Sequence, residues 1–191
     1  MGQSSLRVGT RGSPLALAQA REVRARIAAA LGVDPETIEL KVIRTSGDVA
    51  EDRPLADIGG KGLFTKEIDQ ALIDRGIDLA VHSAKDMPTV LPDGLMLAAT
   101  LPREDVRDAF ISLKAPAPKD LAPGAVVGTA SLRRQALVRR LRPDLRVTLL
   151  RGNVETRLRK LDEGVVDATL LAMAGLNRLG RAHAATSVLS L

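Results

Sequence analysis

The run AVVGTASLRRQALVRRLRPDLRVTLLRGN, residues 125–153, contains a complete strand, helix and strand. Ala125–Thr129 is a short apolar run of β character, Ser131 is a helix-capping residue ahead of a helix predicted to reach Arg142, and Leu145–Leu150 reads as the next strand. Two strands joined through a helix pair in parallel. The same alternation continues outward: a strand at Ala109–Leu113 before it, then a helix at Val154–Leu161, a strand at Asp167–Ala172 and a short helix at Ala174–Leu179. The first half of the chain repeats the pattern. Strands are predicted at Leu6–Thr10, Thr37–Arg44, Ile77–Val81 and Leu95–Thr100. One helix opens at Pro14, a favoured first-turn residue, and carries Ala16, Ala20, Val23, Ile27 and Leu31 at helical spacing until Gly32 stops it. A second helix is predicted over Leu63–Arg75. Ser46–Gly62 is polar, holds Pro54 and ends in GGKG, so it reads as a long loop. With a crossing near Thr100–Arg103, the expected fold is α/β. Two lobes, residues 1–101 and 102–191, each carry a largely parallel mixed sheet flanked by helices.

The chain has 191 residues, of which 45% are apolar, with two Phe and no Trp, Tyr or Cys. The absence of Cys excludes a disulfide framework, a thiolate metal site and a cysteine nucleophile within these residues. No apolar run approaches the roughly 18 residues of a membrane span, and Met1–Arg7 lacks a signal-peptide pattern, so a cytoplasmic protein that binds no membrane is expected. No metal-ligand spacing appears. GGKG is not a Walker A loop, because the Gly spacing and the residue after Lys are wrong. It reads instead as part of a lid with Lys61 and Phe64.

Charge divides unevenly. Residues 1–100 hold 12 basic and 14 acidic side chains, whereas 101–191 hold 16 and 9. Between Ser131 and Lys160 lie ten basic residues, nine of them Arg, against Asp144 and Glu155. A solvated helix face accounts for Arg139, Arg140 and Arg142. Arg133 and Arg134 differ, because they occupy a helix first turn, where the dipole disfavours cations. Arg134 also shares the arc of Leu137, Val138 and Leu141 that should meet the sheet. An anion is expected there. Nucleic acid is not the expected one, since this half offers no aromatic stacking platform.

In open α/β sheets ligands gather beyond the carboxyl ends of strands, and the unusual side chains fall at those junctions: Arg11 and Ser13 after the first strand, Ser83, Lys85 and Asp86 after the Ile77 strand. Thr129 and Ser131 follow the Ala125 strand, Arg151 and Asn153 the Leu145 strand with Arg157 just beyond, and Arg178 lies in the helix after the Asp167 strand. Four or five converging Arg suit a ligand with several carboxylates. A carboxylate beside a cation, as at Lys85-Asp86, can pass a proton or stabilise a positive charge. His82 reads as a packed strand-end residue rather than a base.

GTRGSPLA (9–16), GGKGLF (59–64), HSAKDMP (82–88), GTASLRR (128–134), LRGN (150–153) with Thr156-Arg157, and AGLNR (174–178), in this order, closely resemble the porphobilinogen deaminase (hydroxymethylbilane synthase) family. The resemblance implies a two-lobed fold similar to type II periplasmic binding proteins. It also implies stepwise deaminating condensation of four porphobilinogen molecules into hydroxymethylbilane, in porphyrin and haem biosynthesis, by a monomer carrying a dipyrromethane cofactor. On it, Asp86 is the central catalytic carboxylate with Lys85 beside it. Arg11, Ser13, Ser83, Thr129, Ser131, Arg133, Arg134, Arg151, Asn153, Arg157 and Arg178 are implied as binders of primer and substrate carboxylates. Ala130 departs from the family, which often has a hydroxyl there. The family attaches its primer through a cysteine in a third domain. This chain has none, and the resemblance covers about the first three-fifths of a family member. The chain alone is therefore expected to make little product, and a two-lobed module that binds a small polycarboxylate without chemistry is the alternative.

Overall fold

Val8 and Thr10 are fully buried on the strand Arg7–Thr10 (β1), which lies at the centre of the first sheet. The computed structural model describes residues 6–49 and 62–190, and the chain divides into two compact units, Met1–Leu101 and Pro102–Leu191. In the first unit β1 is followed by the helix Pro14–Leu31 (α1). Both of its ends are local effects. Ser13 accepts a hydrogen bond from the Ala16 N–H at 3.3 Å, Pro14 begins the first turn, and Gly32 takes φ 67° to close the last. Glu39–Val42 (β2) and Leu79–Ala80 (β3) pair in parallel on either side of β1, in the order β2-β1-β3. Gly9 lets this sheet pack closely, since a Cβ there would meet Ile77 Cδ1 at 2.3 Å. A parallel sheet turns the carboxyl ends of all three strands to one edge.

Three expectations change here. The expected loop begins with a helical turn, Ser46–Val49 (α2). Thr45 explains it: the Thr45 N–H and hydroxyl donate to Asp48 Oδ2 at 3.3 and 2.8 Å, the reciprocal end of a capping box. Residues 50–61, and with them Lys61, lie outside the described residues. The second helix is shorter than predicted, Lys66–Ile73 (α3), because a turn at Gly62–Thr65, with Gly62 at φ 79°, delays its start. Leu95–Thr100 forms no strand. The three-stranded sheet does not pair with it, and Met96 and Leu97 are largely exposed. Apolar alternation without a neighbouring ladder leaves backbone groups for water.

The second unit contains Asp108–Ser112 (β4), Val126–Gly128 (β5), Leu132–Leu141 (α4), Arg146–Thr148 (β6), Val154–Asp162 (α5), Ala168–Ala172 (β7), Met173–Arg178 (α6) and Ser187–Val188 (β8). The sheet order is β6-β5-β7-β4-β8. β5 runs parallel to β6 and β7, while β4 runs antiparallel to β7 and β8. Both faces are buried: Ala109, Ile111 and Leu171 pack on one side, Phe110, Val127 and Leu170 on the other. That explains the non-alternating apolar runs, residues 109–111 of β4 and 170–172 of β7. Burying Phe110, 1% exposed, contributes on the order of 1.5–3 kcal/mol. On α4, only Val138 of the predicted apolar arc packs against the core. Leu137 and Leu141 remain exposed. Arg142 departs from a solvated reading, since its guanidinium donates to the Pro118, Lys119 and Leu121 carbonyls and to Asp144.

Candidate active site

At the carboxyl edge of the first sheet, β1 delivers Arg11, β2 leads to Thr45 and Asp48, and β3 leads to the turn Ala84–Asp86. Arg11 is already engaged. Its Nε donates to Asp48 Oδ1 at 3.0 Å, its Nη2 also pairs with that carboxylate, and its guanidinium lies 4.1 Å from the Phe64 ring centroid. Burial pushes the Asp48 carboxyl up, but hydrogen bonds from Arg11 and Thr45 outweigh it and hold the group below its usual value. Gly47 packs against the same ring, where a Cβ would meet it at 2.3 Å. Ser83 donates to Gln19 Oε1 at 2.8 Å, and Ser13 is occupied as the α1 cap. Asp86 and Lys85 differ. The turn holds them through Asp86 N–H donating to the Ser83 carbonyl at 2.9 Å, and among the described residues neither side chain has a hydrogen bond or ion pair. Asp86 is half-buried and Lys85 exposed.

His82 is half-buried beside them, with Nε2 shielded from solvent and without a partner among the described residues. Burial pushes its imidazole down. Asp69 and Asp86 pull the other way, and Arg11 adds to the lowering. The unfolded chain therefore takes up this proton more readily than the folded one. The stability due to neutral His82 is present above the unfolded value of about 6.5 and is lost as pH falls from there through the lowered folded value. The thermal midpoint of the wild type is expected to fall more steeply from about pH 7 to 5 than that of His82→Gln. Equal slopes would contradict this.

At the second sheet's edge, β5 ends in the buried Thr129, whose Oγ1 accepts from the Ser131 N–H at 3.1 Å. Ser131 caps α4, accepting from the Arg134 N–H at 3.4 Å. β6 leads to Arg151, Gly152 and Asn153. Asn153 caps α5 through Thr156 N–H at 2.9 Å. Gly152 takes φ 114°, and a Cβ there would meet Thr156 at 2.6 Å, so no other residue fits without rearrangement. Arg157 donates from Nε to the Gly152 carbonyl at 2.8 Å. Burial lowers its pKa, and the charges of Arg134 and Arg151 lower it further. Arg151 Nη1 is buried without a partner among the described residues. Arg178, in the last turn of α6, is half-buried and helps hold the Glu104 carboxyl low, behind the hydrogen bonds from Asp105 and Asn177. Asp108 is bonded into this group and takes both Arg133 and Arg134.

Thus the first unit sets Arg11 against Asp48 and Phe64 and carries Ser13, Ser83, Lys85 and Asp86 on the segments that follow β1 and β3, while the second puts Arg134 and Arg151 within electrostatic range of Arg157 and carries Thr129, Ser131 and Asn153 on the segments that follow β5 and β6. Sequence reasoning missed Asp48 and Asp108. Asp48 carried a usable signal, the Thr45-Ser46-Gly47-Asp48 spacing of a capping box. Asp108 carried none. Among the described residues no group of three His, Cys, Asp or Glu could hold a metal, and no helix is long and apolar enough to cross a membrane.

The chain is similar in fold to a periplasmic substrate-binding protein of an ABC transporter from Coxiella burnetii, with TM-score 0.51 and 14% identity over 97% of this chain and 79% of that one. This is the type II periplasmic binding-protein architecture of two α/β lobes. It is 67% identical over 182 residues to porphobilinogen deaminase of Nitrobacter hamburgensis, covering 95% of this chain and 58% of the relative. It is 60% identical over 189 residues to the chloroplastic porphobilinogen deaminase of Oryza sativa subsp. japonica, covering 98% and 53%. The chain thus spans little more than half the length of these curated relatives. Residues 6–191 match the family model described as "Porphobilinogen deaminase, dipyromethane cofactor binding domain". With the clustered Arg of one sheet edge and the unpaired Lys85-Asp86 turn of the other lying inside that match, the chain belongs to the porphobilinogen deaminase family.

Proposed function

We propose that this chain is the pyrrole-handling part of a hydroxymethylbilane synthase, which joins four porphobilinogen molecules head to tail and releases one ammonia at each step. The observation that carries this reading is Arg157, half-buried and within repelling range of both Arg134 and Arg151, with Asp108 paired to Arg134. Like charges gathered where water is partly excluded are unfavourable alone, and a ligand with several carboxylates offsets that cost. Porphobilinogen carries an acetate and a propionate on its ring. The dipyrromethane group fits the same donors, since Arg151 Nη1 is a buried cationic donor without an acceptor among the described residues. When bound, dipyrromethane supplies the acceptor pyrrole on which the chain grows. No cysteine occurs in the 191 residues, so they offer no thiol for its attachment.

In this reading Thr129, Ser131, Arg133, Arg134, Arg151, Asn153, Arg157 and Arg178 orient carboxylates from the second unit, and Arg11, Ser13 and Ser83 from the first. Asp86 does the proton work. It gives a proton to the amine of porphobilinogen as the C–N bond breaks, and its carboxylate stabilises the positive charge left on that ring. The same carboxylate would take back the proton released when that ring is joined to the acceptor pyrrole that a bound dipyrromethane would supply. Lys85 offers a cation to a substrate carboxylate. Phe64, packed on the Arg11 guanidinium, is taken as the lid residue of the site. The same proposal takes the protein to be a cytoplasmic monomer.

A chimera tests it: residues 6–191 replace the matching stretch of the Nitrobacter hamburgensis relative. The chimera is expected to make hydroxymethylbilane, while the 191-residue chain alone makes little or none. A folded, silent chimera beside an active parent would leave the non-catalytic binding module as the better description.

A further inference from the structure

Asp108 lies within a run of mixed charge, Arg103 to Asp108, and by sequence it belongs to a connector. The fold moves it. β4 is antiparallel to β7, and Asp108 is in register with Ala172, the last residue of β7. An antiparallel strand brings its amino end to the edge where its parallel neighbours bring their carboxyl ends. Asp108 therefore stands at the same edge as the Arg residues that follow β5 and β6, against those that follow β5.

Its contacts divide two adjacent Arg. Asp108 Oδ1 accepts from Arg134 Nη2 at 2.7 Å and Oδ2 from Arg134 Nε at 3.2 Å, while Arg134 Nη1 donates to the Leu170 carbonyl at 3.0 Å. The Arg134 fork is thus held at all three nitrogens, and its side chain is 11% exposed. Arg133 gives one donor, Nη2, to Asp108 Oδ2 at 2.7 Å and leaves 63% of its side chain in solvent. We infer that Asp108 is a positioning residue of the anion site: its carboxylate fixes Arg134 and aims the remaining donors of Arg133 at an incoming pyrrole carboxylate. The inference rests on the function proposed above. Arg is a long side chain whose immobilisation costs binding energy, and one already tethered at its tip has less freedom left to lose.

Charge and positioning predict opposite signs. An acid beside an anion site repels the ligand, so by charge alone its neutralisation tightens binding. If Asp108 positions the guanidiniums, neutralisation loosens it. Asp108→Asn keeps the shape and removes the charge. Porphobilinogen is expected to bind Asp108→Asn about tenfold more weakly than wild type, with Asp108→Glu in between. Unchanged or tighter binding to Asp108→Asn would overturn the inference.

A second readout needs no ligand. In 15N-labelled chain, the Arg134 Nε–H is expected to exchange slowly in wild type and at least about tenfold faster in Asp108→Asn. Equal exchange would overturn the positioning role. Failure of porphobilinogen to bind wild type, with the exchange difference intact, would count against the proposed function and not against Asp108. Should Asp108→Asn not fold, Asp108→Glu carries both readouts, because one added methylene displaces the carboxylate. Wild-type affinity together with wild-type exchange in that variant would overturn the inference.

Discussion

Asp86→Asn in the chimera is expected to lower hydroxymethylbilane formation by about 10²- to 10⁴-fold, the usual worth of a positioned acid–base group, with porphobilinogen affinity changed by no more than about threefold. Asn matches Asp in size and cannot give or take the proton. The turn that carries the group is fixed by its backbone, through the Asp86 N–H and the Ser83 carbonyl, and the carboxylate supports no other side chain among the described residues. The substitution therefore removes chemistry without removing structure. Rate and affinity measured together decide the matter: turnover near that of the parent would take Asp86 out of the catalytic role, and a loss confined to affinity would make it a binding group.

Arg151→Gln is expected to weaken porphobilinogen binding by about 10- to 100-fold, the equivalent of one hydrogen bond to a charged group. Arg151 is the informative choice in its group. Arg134 is committed to Asp108 and Leu170, and Arg157 to the Gly152 carbonyl, so their replacement also disturbs the fold. The buried Nη1 of Arg151 has no acceptor among the described residues, so its loss falls on the ligand rather than on the unit. The thermal midpoint is expected to hold or rise slightly, because a charge that repels Arg157 is gone. A titration and a melting curve on the same variant check both halves. A lower midpoint with unchanged affinity would make Arg151 structural.

Much of this was readable from local chemistry. Both ends of α1 follow from Pro14 and Gly32, and the start of α4 from Ser131, because caps and stops act within a few residues. The junction residues were readable for a related reason: parallel strands bring their carboxyl ends to one edge, so Arg11, Asp86, Thr129 and Arg151 could be assigned to it without coordinates. What failed was non-local. Leu95–Thr100 has the composition of a strand and lacks a partner among the described residues, and no pattern within the segment reports that. Asp108 is assigned to the site only by the antiparallel direction of β4, which depends on residues sixty positions away. Arg11 appeared free for a ligand until α2 brought Asp48 against it. The Leu137 and Leu141 arc appeared buried, yet a mixed five-stranded sheet offered it only Val138's place.

The central claim is that this chain recognises the carboxylates of a pyrrole, and calorimetric titration of porphobilinogen against its dimethyl ester tests it most directly. The account predicts saturable binding of porphobilinogen that weakens as salt is raised, with the diester not binding detectably. Equal binding of acid and ester, or none of the acid at low salt, would contradict it.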